Sequence, residues 1–374
     1  MPLGWGVRPR HGSCDGLHSR PRAAVSERFL GRQRPRLLSG NHSSCGWQLN
    51  TTFLQRYWFL LALFCVIPLG LAWPAGGLWI KQSGWVTPLL VATVLGISGF
   101  MADTRAMLRQ ATNWPAILMV FTSVYVVAPL AAWQLAKVFG SGLPDAASAH
   151  FLEAMLIMAA QASTMASAVA LTLLARGNSE LAIVVALLTN MSTVLFTPVI
   201  LRLALHAENV SFVTSRMMLN MSCTVLLPVL LGQLLRRYYW ERAEAIRAVL
   251  RVAPQCIILV FVYTGFAAAA QSLKGDSGIL FRYLGCCATL HALLLSGNIL
   301  AARCLHLDGP TQTAVSFAGA QKTLPNGIFL WERFFAANPQ GAVPLVFYHA
   351  IQLLVDTLLV GWFEKQNRAP AKPS

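Results

Sequence analysis

Apolar residues gather in ten long runs, at about 57–73, 84–102, 115–137, 151–174, 180–204, 215–235, 252–271, 279–302, 313–332 and 341–363, separated by short polar connectors. Each run has the length needed to cross a hydrocarbon layer of roughly 30 Å with modest tilt or snorkelling ends. Tryptophan and tyrosine stand near several ends (Tyr57, Trp58, Trp73, Trp114, Tyr238, Tyr239, Trp240, Trp362), where amphipathic rings mark the membrane–water boundary. The pattern predicts an all-α membrane protein with ten transmembrane helices. Two runs are not uniformly apolar. The fourth contains Ala159-Ala-Gln-Ala-Ser-Thr-Met-Ala-Ser-Ala168, and the ninth contains Phe317-Ala-Gly-Ala-Gln-Lys-Thr-Leu-Pro-Asn-Gly-Ile-Phe-Leu-Trp331.

Composition agrees with the pattern. Of 374 residues, 56% are apolar and 11% charged, against about 25% charged in soluble domains. Mean hydropathy is +0.56. The net charge of +15 does not point to nucleic acid, because the excess lies in the N-terminal segment and the connectors. Residues 1–56 carry nine arginines against Asp15 and Glu27 and lack periodicity. They are expected to form a disordered basic tail, with a transit peptide or an over-extended gene start as alternatives. Residues 367–374 are expected to be a short C-terminal tail. Lysine and arginine crowd one set of connectors (Arg105, Arg109, Arg176, Arg236, Arg237, Arg242, Arg247, Arg251, Arg303, Lys365, Arg368, Lys372) together with the tail. Under the positive-inside rule both termini are cytoplasmic, in a plasma (bacterial inner) membrane. The eight cysteines are scattered without metal-ligand spacing and read as small packing residues.

Five spans per half is an odd number, so a duplicated half must be inverted. Val66-Ile-Pro-Leu69 parallels Leu226-Leu-Pro-Val229, Ser98-Gly-Phe100 parallels Thr264-Gly-Phe266, and Ala159-Ala-Gln161 parallels Gly319-Ala-Gln321. At the same offset of 160, Asn178 falls on Asn338. The expectation is two inverted five-helix repeats, 57–204 and 215–363, within a transporter domain covering 57–366.

Inverted repeats place a binding site at the midplane, between discontinuous helices. The candidates are therefore Gln161, Ser163, Thr164 and Ser167 in run 4 and Gln321, Lys322, Thr323 and Asn326 in run 9. A lysine at the centre of a span costs about 2.5–3.5 kcal/mol on insertion scales, and Pro325 frees a carbonyl that lipid cannot satisfy. In run 10, His349, Gln352 and Asp356 follow at i, i+3 and i+7 on one face; at offset 160, run 5 places Thr189 and Ser192 opposite His349 and Gln352. Asp356 is the expected counter-charge of Lys322. Helix packing is the alternative reading for the hydroxyls, and a satisfied core histidine for His349. No phosphate loop, metal-spaced cluster or serine elbow is present, so neither an enzyme nor a bound cofactor is expected.

Leu174-Ala-Arg-Gly-Asn178 with Phe196-Thr-Pro-Val199 resembles the end of helix 4 and helix 5 of the bile acid:sodium symporter superfamily. Gln321-Lys-Thr-Leu324 with its preceding Phe-Ala-Gly-Ala, Tyr348-His-Ala-Ile-Gln352, and Leu231-Gly-Gln-Leu-Leu-Arg-Arg237 are similar to the SBF-like branch. The resemblance covers roughly 50–366. It implies a panel domain (helices 1, 2, 6, 7) and a core domain (3–5, 8–10), broken helices 4 and 9 that cross, and a solute in the cleft between the domains.

The chain departs from sodium-coupled members of that superfamily where ions would bind. Ala168 and Val169 stand for a Ser-Asn pair, Ala182 and Ala186 for helix 5 hydroxyls, Phe317 for a glutamate and Lys322 for an asparagine. A hard cation needs oxygen ligands, so the resemblance implies a secondary transporter whose coupling ion, sodium or proton, is open. The fixed lysine favours a small anionic organic solute. A membrane scaffold and a cation/proton antiporter are the alternatives. The antiporter reading expects a carboxylate at the crossing, and Asp356 reads as offset from it.

Overall fold

The computed structural model describes residues 51–206, 214–273 and 277–368. The chain divides into Met1–Leu49 and Asn50–Ser374, and every described residue belongs to the second unit. Helix begins at Thr51, inside the segment expected to be tail; residues 1–50 lie outside the described residues, as do 369–374.

The described residues form helices throughout, with no strand among them. First come α1 (Thr51–Ala72), α2 (Ala75–Ser83), α3 (Val86–Met101) and α4 (Thr104–Gln110). Next are α5 (Trp114–Thr122) and α6 (Ala128–Phe139), then α7 (Asp145–Ala159), α8 (Ala166–Leu174) and α9 (Ser179–His206). After residues 207–213 follow α10 (Thr214–Met221), α11 (Leu227–Tyr239), α12 (Arg247–Leu273) and α13 (Ser277–Cys304). The last are α14 (Gly309–Ala320), α15 (Leu324–Phe334) and α16 (Ala342–Arg368).

Six runs among the described residues are long and apolar enough to cross a membrane: α5–α6, α9, α10–α11, Glu244–Ala270, α13 and α16. The pairs α1/α2 and α3/α4, bent by 87° and 76°, bring the number to eight. The fourth and ninth apolar runs of the sequence fall short because each is cut in two. α14 stops at Ala320 because Pro325 has no N–H for the carbonyl of Gln321. α7 stops at Ala159 before the hydroxyl-rich segment Gln161–Met165, whose serine and threonine compete with the helix for backbone groups.

Two other runs pass through a π turn without breaking. Ser123–Val127 and Ser222–Leu226 are π turns, and each directly precedes a proline at the second position of the next helix, Pro129 and Pro228. In a π turn the carbonyl of residue i looks to the N–H of i+5. Ser123 finds that of Ala128. Val124 would need Pro129, which has none. Its carbonyl is left free in the interior.

The Leu231–Arg237 motif has a structural use. Gln233 donates to the carbonyls of Gly99 and, at 3.0 Å, Ala102, while Arg236 donates to Phe100 and Met101 at 3.1 and 3.2 Å. Two side chains of α11 thus satisfy the orphan carbonyls that end α3. Asp103 then caps α4 by accepting from the amides of Arg105 and Ala106, and these two amides hold its carboxyl below the usual carboxylate range.

Candidate functional site

The two breaks lie against each other. The amide of Thr323 donates to the carbonyl of Ala162 at 2.9 Å, a backbone bond between one interruption and the other. Asn326 Nδ2 donates to Gln161 Oε1 at 3.1 Å, and Gln161 Nε2 donates to Ile157 O at 2.7 Å. Ser167 Oγ donates to Gln321 Oε1 at 2.7 Å. Following helices satisfy the loose carbonyls. Thr197 Oγ1 donates to Ala160 O at 2.6 Å, and Tyr348 OH to Ala320 O at 2.7 Å. Asn190 Nδ2 donates to Ser163 O at 2.7 Å.

Lys322 is 2% exposed. Its ammonium donates to Val124 O at 3.0 Å and to Gln161 O at 3.2 Å. The first is the carbonyl that Pro129 leaves free. The second lies just past the end of α7, where partial negative charge gathers and a cation is favoured. The lysine therefore occupies a position that carbonyl oxygens prepare for a cation. The expected Lys322–Asp356 pair is not formed, because backbone oxygens of the π turn and the break that lack a helical partner lie within reach of the ammonium and Asp356 is taken by other donors.

Asp356, fully buried, accepts from Gln321 Nε2 at 2.6 Å through Oδ2, and its Oδ1 lies 2.9 Å from His291 Nε2. Although it reads as offset in sequence, its carboxylate reaches the break of the ninth run through Gln321. His291, from the middle of α13, is the partner that sequence reasoning missed. Its signal was an ionisable residue inside an apolar run.

Gln352 and His349 complete the site, and their hydrogens can be assigned by elimination. The amide of Lys322 donates to Gln352 at 2.8 Å, so that atom is the side-chain oxygen. Gln352 Nε2 therefore supplies both its hydrogens, one to Lys322 O at 3.1 Å and one to His349 Nδ1 at 2.9 Å. An accepting Nδ1 leaves the proton of a neutral imidazole on Nε2. That Nε2 has no hydrogen-bond partner in the protein, although the residue is only 1% exposed.

His349 is among the residues that line a cleft of about 660 Å³ between α1, α8, α12 and α16. Ser167 and Gln255 also line it, with Trp58, Phe59 and Ile258 among its apolar walls. Gln255 Oε1, from α12, likewise lacks a partner. An apolar-walled cleft with a few convergent polar groups is the usual form of a small-molecule site. A groove of similar size, about 670 Å³, between α3, α11 and α12 is apolar and remote from the breaks.

Of the sequence-derived candidates, Gln161, Ser167, Gln321, Lys322, Asn326, His349, Gln352 and Asp356 are joined in this network. Thr323 contributes its backbone, and Thr164 lies 3.5 Å from Ser167 Oγ. Ser163 Oγ is buried without a partner. Thr189 and Ser192 stand apart, against Tyr125: its hydroxyl donates to Thr189 O and lies 3.4 Å from Ser192 Oγ. Tyr125 is next to Val124, so this pair supports the π turn that receives the lysine.

Curated proteins of similar sequence can be identified. The uncharacterized protein PA2026 of Pseudomonas aeruginosa is 29% identical over 315 residues, 83% of this chain and 93% of its own length. Sodium/bile acid cotransporter 7 of Xenopus tropicalis is 24% identical over 336 residues (84% and 95%), and the mouse protein of that name is 25% identical over 320 residues (82% and 92%). The family model of the SBF-like CPA transporters matches residues 57–365, from α1 almost to the end of α16. A multi-pass helical chain matched over that length belongs to the SBF-like CPA transporter family.

Proposed function

We infer that the chain is a secondary transporter that carries a small organic anion across a membrane by alternating access. The observation that carries this reading is the unpartnered Nε2–H of His349, a buried donor at the edge of a cleft of small-molecule size. A carboxylate, sulfonate or sulfate oxygen satisfies it; a cation does not. Lys322 takes the place of a bound cation at the breaks, its ammonium held by Val124 O and Gln161 O.

In this reading ten spans form two inverted repeats, with the broken helices α7/α8 and α14/α15 as spans 4 and 9. Two pairs of contacts support it. Asn178 N donates to Pro310 O at 2.9 Å, and Asn338 Nδ2 donates to His150 O at 2.8 Å; donors and acceptors are each 160 residues apart. The carbonyls of Ala160 and Ala320, capped by hydroxyls of the next helices, keep the same offset. The cleft separates a panel (α1–α3 and α10–α12) from a core. Trp58, the end of α8 at Leu173 and Leu174, and Gly361 border it, which the distribution of arginines assigns to the cytoplasmic side. Away from the cleft the panel touches the core again, with Lys81 Nζ 4.1 Å above the ring of Trp331.

The test is uptake of a panel of organic anions by proteoliposomes holding the full chain, under imposed sodium or proton gradients. His349→Phe keeps the ring and removes the donor, and should lower uptake about 10- to 100-fold, the weight of a buried hydrogen bond of about 1–3 kcal/mol. Gln352→Glu cannot donate to Nδ1; it moves the imidazole hydrogen there, turns Nε2 into an acceptor, and should lose anion uptake similarly. Saturable uptake unchanged in both variants would sink the assignment. The scaffold alternative drew on a locked Lys322–Asp356 pair, which is not formed. Cation/proton antiport keeps one supporting observation, the approach of Asp356 to the break, and predicts cation flux without anion uptake in the same vesicles.

A further inference from the structure

We propose that Asp356 and His291 form a single proton-binding site, and that its proton travels with the anion. The inference rests on the transporter reading above, but its carrier is a different set of atoms. His291 Nε2 and Asp356 Oδ1 are 2.9 Å apart, and their side chains are 1% and 0% exposed. The other imidazole nitrogen, Nδ1, lies 3.4 Å from the hydroxyl of Tyr348. That hydroxyl gives its own hydrogen to Ala320 O at 2.7 Å, so it meets Nδ1 as an acceptor and Nδ1 carries a hydrogen. With Nδ1 protonated, a neutral imidazole would turn the lone pair of Nε2 toward a carboxylate oxygen. The contact is attractive only when one proton lies between them, as an acid facing an imidazole or as an imidazolium facing a carboxylate. The site as built holds one proton.

The surroundings leave the pair as the titrating unit. From α16, Tyr348 faces it, and His349 lies on the cleft side of the same helix. From α13, Cys287 sits one turn before His291 and donates to Pro344 O at 3.7 Å. Lys322 follows Gln321 in the chain, but its ammonium is held by Val124 and Gln161. α14 and α8 carry no charged residue.

The link to the cleft is direct. Asp356 Oδ2 holds Gln321 Nε2, Gln321 Oε1 holds Ser167 Oγ, and Ser167 lines the cleft. With its proton the pair is neutral overall. Without it, one full negative charge lies two hydrogen bonds from Ser167 in the wall of the cleft, in surroundings where charges are poorly screened. Proton and anion therefore bind together and leave together. The proton comes from the compartment to which the cleft is open, rests between Oδ1 and Nε2, and is released on the other side; no covalent bond changes.

Asp356→Asn separates this proposal from a purely structural role. An asparagine can donate Nδ2–H to His291 Nε2 and accept from Gln321, so it reproduces the protonated pair and cannot titrate. The measurement is thermal stability of the ligand-free full chain in lipid nanodiscs from pH 5 to 9, with infrared difference spectra covering the carboxylic-acid, carboxylate and imidazole bands, so that the proton is seen on either partner. The wild type should lose melting temperature toward alkaline pH, with one band changing as the pair empties. Asp356→Asn should lack both the band and that pH dependence while melting as high as the wild type at acid pH. His291→Gln, which donates to the carboxylate, should remove the same pH dependence. Asp356→Asn with an unchanged pH profile would overturn the proposal, as would a wild type with no titrating band. Because no solute is present, these outcomes are independent of anion uptake. A titrating pair in a chain that takes up no anion would refute the transport reading instead.

Discussion

Lys322→Ala should melt well below the wild type and should become stabilised by sodium, to which the wild type is indifferent. The ammonium makes two charge-assisted bonds, to Val124 O at 3.0 Å and Gln161 O at 3.2 Å. Neither carbonyl has a helical substitute, the first because of Pro129 and the second because α7 has ended. Leaving a buried acceptor unpaired costs about 1–3 kcal/mol, so two cost about 2–6 kcal/mol. At about 2–4 °C per kcal/mol for a large domain, the melting temperature should fall by roughly 5–20 °C. Alanine also opens a space bordered by oxygens, and a small cation can enter it. Sodium chloride should therefore raise the melting temperature of Lys322→Ala where choline chloride does not. Lys322→Met fills the space with an apolar chain and should be destabilised without rescue. A sodium-stabilised wild type, or an alanine variant that ignores sodium, would show that the lysine does not stand in a cation's place.

The same residue shows how far a sequence reading reaches. Its presence in an apolar run marks the site, because lipid cannot accommodate an ammonium and only a bundle interior can. Its partner was not legible. The expected counter-charge was Asp356, but Coulomb attraction between named side chains competes with backbone oxygens, and the sequence writes those only indirectly. The signal was Pro129, which with a π turn frees one carbonyl in another helix. His291 had a weaker signal, since nothing in its own run tells which carboxylate it meets. The helical, multi-pass character of the chain was legible because hydrocarbon requires long stretches of apolar side chains. The two breaks were legible at Pro325 and in the hydroxyl-rich segment after Gln161, where a local rule for helices fails. Gln255 gave no signal. It lines the cleft from α12, and only packing of one helix group against another brings it to the same cleft as His349.

The close packing of α3 on α11 sets up the other large effect, and it is one of stability. A β-carbon added at Gly232 would lie 2.2 Å from Gly96 O and 2.8 Å from Phe100 N. One at Gly99 would lie 2.4 Å from Val229 O. All three neighbours are backbone atoms, which cannot turn aside as a side chain can, so the helices themselves must separate. Small residues permit such approach in membranes, where packing rather than hydrophobic burial holds helices together. Separation would also pull Gln233 and Arg236 away from the last carbonyls of α3. Overpacking alone costs about 1–3 kcal/mol, and orphaned carbonyls add about 1–3 kcal/mol each. Gly232→Val should therefore lower the melting temperature by about 10 °C or more, at about 2–4 °C per kcal/mol. Gly297, in α13, has nothing within 4 Å of the added atom, and Gly297→Ala should be neutral or stabilising by up to about 1 kcal/mol, since alanine orders a helix at lower entropic cost. Comparable melting of the two variants would mean that the α3–α11 contact is soft. In that event the panel could not serve as one rigid body, and the alternation of core against panel would lose its mechanical basis even if the cleft binds its anion as described.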